Sequence, residues 1–276
     1  MLPRGKEEQL QKLANKLRRR VIDTLWQSQA GHPGGSLSAA DIMATLFFEV
    51  MRVDPAKPKW EDRDRFILSK GHAAPIYYVT LMERGFFPEE ILCTYDCLDS
   101  CLQGHPDVST PGVDIPSGSL GQGLSVGIRL ALGARMKKKD FRVFVLMGDG
   151  ELQEGQVWEA AMAAPQFKLD NITAFVDYNR IQLMGGIGEI MELEPLVDKW
   201  RAFNWNVLEI DGHDIGQIAN ACDQAAQVKG KPSIIIAHTV KGKGVSFMEN
   251  RHEWHSATVT AEVREKALAE LGEEVA

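Results

Sequence analysis

Apolar residues near the start of the chain recur at helical spacing. Leu10, Leu13, Leu17, Val21, Ile22 and Leu25 fall on one face of a helix expected over Glu7–Gln29. The pattern stops at Ala30-Gly31-His32-Pro33-Gly34-Gly35, where a proline and three glycines break it. A second helix is expected over about Ser38–Met51, with Ser38 as its N-cap. A proline- and charge-rich loop, Asp54–Asp64, leads to a short strand, Arg65–Leu68. Lys70-Gly71-His72 then opens a helix over Ala74–Arg84.

The stretch Gln103–Gly123 is rich in glycine, proline and serine, which fits a long loop around a site better than a linker. A helix over Gln122–Lys138 follows, able to pack closely through Gly127, Ala131 and Ala134. Arg142–Met147 is a near-continuous apolar run, as in a strand buried on both faces of a parallel sheet. Helices Val157–Phe167 and Ile215–Lys229 and strands Ile172–Val176, Asn206–Ile210 and Ser233–His238 complete the pattern. Strands alternating with helices predict a doubly wound α/β fold with a mainly parallel sheet flanked by helices. It is read as one domain over residues 1–276 with an N-terminal helical segment. Ligands of such sheets bind at the carboxyl ends of the strands.

Composition narrows the function classes. A chain of 276 residues, 44% hydrophobic and 25% charged, can bury its own core. Its net charge of −7 argues against a nucleic-acid partner. The two short basic runs, Arg18–Arg20 and Lys137–Lys139, are expected to be solvated helix faces or ends. No apolar run is long enough to span a membrane, and Met1–Leu10 lacks the apolar core of a signal peptide. Four cysteines do not make a disulfide scaffold and fit a reducing, cytoplasmic setting. Cys93, Cys97, Cys101 and His105 recur every four residues, but the spacing matches no standard zinc or iron–sulfur pattern. A partly buried helix face is expected for the cysteines rather than a metal site.

The chemistry concentrates in Gly148–Asn179. Gly148-Asp149-Gly150-Glu151 follows one predicted strand, and Asp177-Tyr178-Asn179 ends the next. The glycines permit a sharp turn and close approach to a ligand. If the strands are neighbours, Asp149 and Asn179 can share one hard divalent cation, Mg²⁺ with Ca²⁺ or Mn²⁺ as substitutes, completed by phosphate oxygens. The Gly150 N–H and the nearby helix N-terminus can receive a diphosphate. Gly-Asp-Gly alone is a weak signal. The strand context at both ends, with 28 residues between Gly150 and Asn179, makes it strong. His32, His72 and His105 sit in glycine- or proline-bounded turns, and with His255 they are read as a cluster suited to proton transfer.

This pairing resembles the diphosphate signature of thiamine diphosphate enzymes, and the longer run Gly148-Asp149-Gly150-Glu151-Leu152-Gln153-Glu154-Gly155 resembles transketolase. The resemblance covers nearly the whole chain, through Gly31-His32-Pro33-Gly34, Ser69-Lys70-Gly71-His72, Gly104-His105-Pro106, Leu120-Gly121-Gln122-Gly123 and Trp254-His255. It implies thiamine diphosphate and Mg²⁺ as cofactors, with Asp149, Asn179 and the Ile181 carbonyl on the metal. His32 and His105 would face the donor ketose, and His255, with His252 as its rival, would lie between cofactor and substrate. His72, Gly150, Glu151, Asn179 and Lys241 would line the cofactor, a surface position being the alternative for Lys241. Gly118, Ser119 and Leu120 match the loop over the cofactor rings, with Ser119 in place of the usual proline. Glu154 resembles a catalytic acid at a cofactor-bearing subunit interface, its alternative being a solvated first-turn carboxylate. Ser256 stands where the family places a glycine after the histidine.

The family's carboxylate that activates the aminopyrimidine belongs to a later domain, and this chain resembles only the diphosphate-binding part. The implied protein is one subunit of a split transketolase in pentose phosphate-type carbohydrate metabolism. Its partner would be a separate C-terminal, pyrimidine-binding subunit in a heterotetramer, a dimer of heterodimers, and its substrates sugar phosphates. Truncation of a longer protein is the alternative, but Met1 and the tail Glu273-Glu274-Val275-Ala276 look like natural ends. Other open readings are a 1-deoxyxylulose-5-phosphate synthase-like or dehydrogenase-like subunit, or a non-catalytic homologue that binds the cofactor.

Overall fold

Strands β1 (Arg65–Leu68), β2 (Val143–Gly148), β3 (Ile172–Tyr178), β4 (Asn206–Asp211) and β5 (Ser233–His238) pair in the order β1-β2-β3-β5-β4. Every pair is parallel. This computed structural model describes residues 2–272, so the expected ends at Met1 and Glu273–Ala276 lie outside the described residues. Helices flank the sheet: α1 (Arg4–Ser28), α2 (Pro33–Ser38), α3 (Ala40–Thr45), α4 (Ala74–Arg84), α5 (Gln122–Met136), α6 (Gly155–Gln166), α7 (Ile187–Ile190), α8 (Leu196–Ala202), α9 (Ile215–Gln227) and α10 (Ala261–Glu270).

Alternation along the strands divides the core in two. Phe66, Leu68, Phe144, Leu146, Phe175 and Ile235 pack against α1, α3, α4 and α9. Ile67, Val143, Val145, Ala174, Val176 and Ile236 pack against α5, α6 and α8. Both sets are buried, as the apolar run of β2 requires. Helix α5 comes especially close: a Cβ on Gly127 would lie 2.7 Å from a methyl of Val145, and Ala131 and Ala134 are fully buried.

Three local expectations are corrected. The second helix begins at Pro33, whose fixed φ and missing N–H suit the first helical position. Ser38 is therefore the last residue of α2 rather than a cap, and its hydroxyl donates to Asp177 Oδ2 at 2.6 Å. The rest of that predicted helix is α3 followed by a wider turn over Leu46–Val50. Cys93, Cys97 and Cys101 share no helical face. A short 3₁₀ turn ends at Thr94, and Asp96 and Asp99 then take left-handed φ of 58° and 62°. Arg18 is not solvated but buried against Asp41, whereas Lys137 and Lys138 are exposed as expected.

The Arg18–Asp41 pair holds α1 to α3. Asp41 is fully buried, and besides Arg18 it takes hydrogen bonds from Gln11 Nε2 (3.2 Å) and His213 Nδ1 (2.7 Å). Burial alone would raise its pKa, but Arg18 and His213 hold it below the usual carboxylate value. Removing one member of a buried pair strands the other. Asp41→Ala is expected to lower unfolding free energy by about 3–5 kcal/mol in urea titrations. Because the folded pKa is depressed, the contribution of Asp41 is present above the unfolded value and lost as pH falls through the folded one.

Candidate active site

The site forms where β2 and β3 end side by side. Their register sets Gly148 opposite Asp177, so Asp149 and Asn179 leave the sheet as neighbours. Both are buried, and the segment after Asn179 is tied directly to Asp149: the Arg180 N–H donates to Asp149 Oδ2. Asn179 Oδ1 accepts from the Ile181 N–H at 3.1 Å, and the Ile181 carbonyl accepts from Lys241 Nζ at 3.0 Å. Burial, then the nearby Asp177 carboxylate, push the Asp149 pKa up to about 7. Among the described residues no group of three or more His, Cys, Asp or Glu is placed to hold a metal ion. The donors here are instead one carboxylate, one amide oxygen and one carbonyl, a sparse hard-oxygen set that fits a cation completed by phosphate oxygens.

Asp177 lies beneath this pair with no exposed surface. It is bound by Lys70 Nζ, Ser38 Oγ and Thr239 Oγ1, with Asn179 Nδ2 at 3.5 Å. Burial opposes its charge, but Lys70 and the hydrogen bonds outweigh it and keep its pKa below normal. Lys70 also donates to the Gly35 carbonyl at 2.9 Å.

A cavity of about 270 Å³ opens over these groups, lined among others by Lys70, His72, Asp149, Asn179, Lys241 and His255. Lys241 is buried, which removes the surface-lysine alternative. Its ammonium sits 2.8 Å from His255 Nδ1. Burial and Lys70 bring the Lys241 pKa down to about 8. A lysine ammonium only donates, so His255 Nδ1 is the acceptor and Nε2 carries the ring proton.

The four candidate histidines converge. The His32 ring centroid lies 5.4 Å from that of His72, 5.5 Å from His255 and 6.4 Å from His105. His72 and His255 stack at 4.9 Å. His252 joins none of these ring contacts; it is exposed and 3.6 Å from Glu253, so His255 is the member of the cluster. Burial, then His105 and Lys241, lower the His32 pKa to about 4. Burial, then Lys241, lower that of His255 to about 3. His72 is lowered well below normal by burial and Lys70. His32 Nδ1 is buried with no hydrogen-bond partner.

The remaining expected residues divide. Gly118, Ser119 and Leu120 lie in an exposed loop, and a Cβ built on Gly118 would lie 3.5 Å from the His105 ring. Glu154 is exposed at the start of α6, beside Gly121 on the open side of the cavity. Glu151 is turned inward. Its carboxylate takes hydrogen bonds from Ser69 Oγ, Gly121 N at 2.8 Å and Gly148 N at 3.1 Å, so it clamps the loops. The Gly150 N–H, expected to be open to a diphosphate, donates to Asp149 Oδ1 at 2.7 Å, because that oxygen sits at the cap position one residue before it.

Known proteins are similar to this chain in fold and sequence. The family described as "Transketolase, thiamine diphosphate binding domain" matches residues 9–275. The chain belongs to the transketolase family. It is 44% identical to an apulose-4-phosphate transketolase subunit of Phocaeicola vulgatus, over 97% of this chain and 95% of that protein. It is also 44% identical to a 6-deoxy-6-sulfo-D-fructose transketolase subunit of Clostridium sp. strain MSTE9, over 96% and 97%. The crystal structure of transketolase from Campylobacter jejuni superposes with a TM-score of 0.91 at 36% identity. The match covers 95% of this chain and 42% of that one, so the chain spans about two-fifths of that solved transketolase.

Asp177, Lys70 and His213 support the site through tertiary contacts that no local pattern reveals. Asp177 and Lys70 stand within the sequence motifs, but their burial depends on the packing of α2 and β5. His213 lies in Gly212-His213, a glycine-bounded turn at the end of β4 like those of His72 and His105. Its Nδ1 contacts Asp41 and its Nε2 accepts the Val240 N–H at 2.8 Å, which fixes the segment carrying Lys241. The lowered pKa values carry a sign: a histidine depressed in the fold favours unfolding as pH drops from its ordinary value towards the folded one. His32 and His255 are therefore expected to stay neutral down to about pH 5 in ¹H–¹⁵N imidazole spectra, with stability falling from about pH 7 towards that point.

Proposed function

We propose that this chain is the cofactor-anchoring subunit of a two-chain transketolase. With a separate C-terminal, pyrimidine-binding subunit, it transfers a two-carbon ketol unit from an anionic ketose to an aldose. The observation that carries the reading is the pairing of Asp149 and Asn179 on adjacent strand ends beneath a wall of neutral histidines. Asp149, Asn179 and the Ile181 carbonyl would hold Mg²⁺, with Ca²⁺ or Mn²⁺ as substitutes. His72, Lys241, Gly150 and the loop Gly118-Ser119-Leu120 would border thiamine diphosphate, and Glu151 would keep that loop in place.

Thiamine diphosphate, when bound, supplies a carbanion at its thiazolium ring. The chain binds and orients that group and manages protons around it. His32, kept neutral by burial and neighbouring charge, can exchange a proton with a ketose hydroxyl there. His255 presents Nε2–H, since Nδ1 is engaged by Lys241. His105, more exposed, would meet the same substrate, and Glu154 would face a second chain across the open side.

The partner reading is supported by the relatives of matching length named as subunits, and by apolar side chains exposed at the cavity mouth and in the segment that follows. Leu183, Met184, Ile190 and Met191 are 55%, 77%, 45% and 59% exposed. A dimer of such heterodimers would bring two half-sites together. The two subunit relatives are named for a sugar phosphate and a sulfo-sugar, so the donor here is taken as a ketose carrying a distal anion. A cytoplasmic setting fits this carbohydrate chemistry. Among the described residues no helix is long and apolar enough to cross a membrane.

The test is reconstitution with thiamine diphosphate, Mg²⁺ and xylulose 5-phosphate, with and without the product of the neighbouring gene. Turnover is expected only for the pair; turnover by this chain alone overturns the two-chain reading. Asp149→Ala is expected to abolish metal-dependent cofactor binding in calorimetry, and an unchanged affinity refutes the metal assignment. His32→Ala is expected to reduce kcat/KM of the pair roughly a hundredfold or more while leaving cofactor affinity within a few fold.

A further inference from the structure

His213 does not line the cavity, yet both of its ring nitrogens are engaged by groups that lead to it. Nε2 lies 2.8 Å from the Val240 nitrogen. A backbone N–H only donates, so Nε2 is the acceptor and the neutral ring carries its proton on Nδ1. That proton is directed at Asp41 Oδ2, 2.7 Å away. Asp41 has no exposed surface and is itself held by Arg18 and Gln11. A buried carboxylate thus selects the one tautomer of His213 that can accept from Val240.

Val240 stands in the segment that runs from β5 into the site. The Thr239 N–H donates to the Tyr178 carbonyl at 3.2 Å, and the Gly242 N–H to the Gly34 carbonyl at 3.0 Å. Between these two backbone anchors, the Val240 N–H is held by a side chain from the β4 side. Lys241 comes next. Its ammonium reaches the Ile181 carbonyl at 3.0 Å and His255 Nδ1 at 2.8 Å. Lys241 is buried, so a shift of its backbone cannot be absorbed by a freely moving side chain. The contact from Lys241 to Nδ1 is what leaves the His255 proton on Nε2. We propose that His213 is a positioning residue for the histidine cluster: it fixes the backbone at Val240, and through the Lys241 ammonium it sets the tautomer of His255. Its effect on turnover rests on the proposed function; its effect on His255 does not.

The experiment compares the native chain with His213→Asn and His213→Gln, each as the full chain and in the reconstituted pair. Asparagine places an amide N–H₂ near the Nδ1 position, so Asp41 keeps a donor and Val240 loses its acceptor. Glutamine brings a carbonyl oxygen to the Nε2 position, so Val240 keeps an acceptor and Asp41 loses a donor. A hydrogen bond to a buried charge is worth more than one to a neutral group, so His213→Gln is expected to melt below His213→Asn. Turnover is expected to rank the other way. His213→Asn is expected to lose roughly tenfold or more in kcat with xylulose 5-phosphate, KM staying within a few fold. Its His255 ¹⁵N imidazole signals are expected to move from the Nε2–H tautomer towards a mixture. His213→Gln is expected to keep kcat within a few fold of native, with native His255 signals. A merely structural role makes turnover follow the thermal midpoint. That parallel ranking, native His255 signals in His213→Asn, or failure of both variants to fold each overturns the inference. In the native chain, a ¹⁵N–¹⁵N coupling across the hydrogen bond from Val240 to His213 Nε2 is expected, and a proton found on that nitrogen overturns it as well. An inactive native pair refutes the proposed function, and the His255 and His213 spectra still decide this inference.

Discussion

Burying the Asp177 carboxylate at the end of a central strand obliges several other elements to come to it. A charge with no exposed surface is tolerated only when paired and fully hydrogen-bonded. Its partners come from α2 (Ser38), from the turn after β1 (Lys70), from the segment after β5 (Thr239) and from Asn179 beyond its own strand. The same contacts set the heights of the groups that face the ligand. Lys70 also grips Gly35 beside the His32 turn, and Asn179 is oriented for its place beside Asp149. The floor of the site is thus an electrostatic necessity of the fold.

Cation distribution explains the histidines. Lys70 and Lys241 are both buried at the centre of the cluster, and their positive charge adds to burial in keeping three imidazoles neutral. Neutral rings both donate and accept, which a sugar with several hydroxyls requires. The same two ammonium groups line the cavity beside Asp149 and Asn179. Val240, held by His213 from the β4 side, passes the rigidity of the Arg18–Asp41 pair into the Lys241 segment.

Close helix–sheet packing gives the site its second wall. Gly123 and Gly127 let α5 approach β1 and β2, and a Cβ at Gly123 would meet Ser69 Oγ at 2.2 Å. That approach brings the Gly121 N–H to Glu151, and Glu151 to Ser69 and Gly148. The loop carrying Gly118, Ser119 and Leu120 is thereby fixed at its root and exposed beyond it.

The strands, most helices and the polar pair at the strand tips were legible in the sequence. Apolar periodicity reports burial directly, and a polar residue at the tip of a buried strand has few reasons to be there. The glycine- and proline-bounded turns marked three of the four clustered histidines for the same local reason. Chain periodicity could not say that Pro33 starts the second helix and sends Ser38 to Asp177, that Arg18 is buried, or that His255 rather than His252 turns inward. Nor could it show that Glu151 and the Gly150 N–H are engaged within the protein. Each of these depends on contacts set by the assembled fold, where one buried charge decides the arrangement, and such contacts exist only once the sheet and its two helical layers have come together.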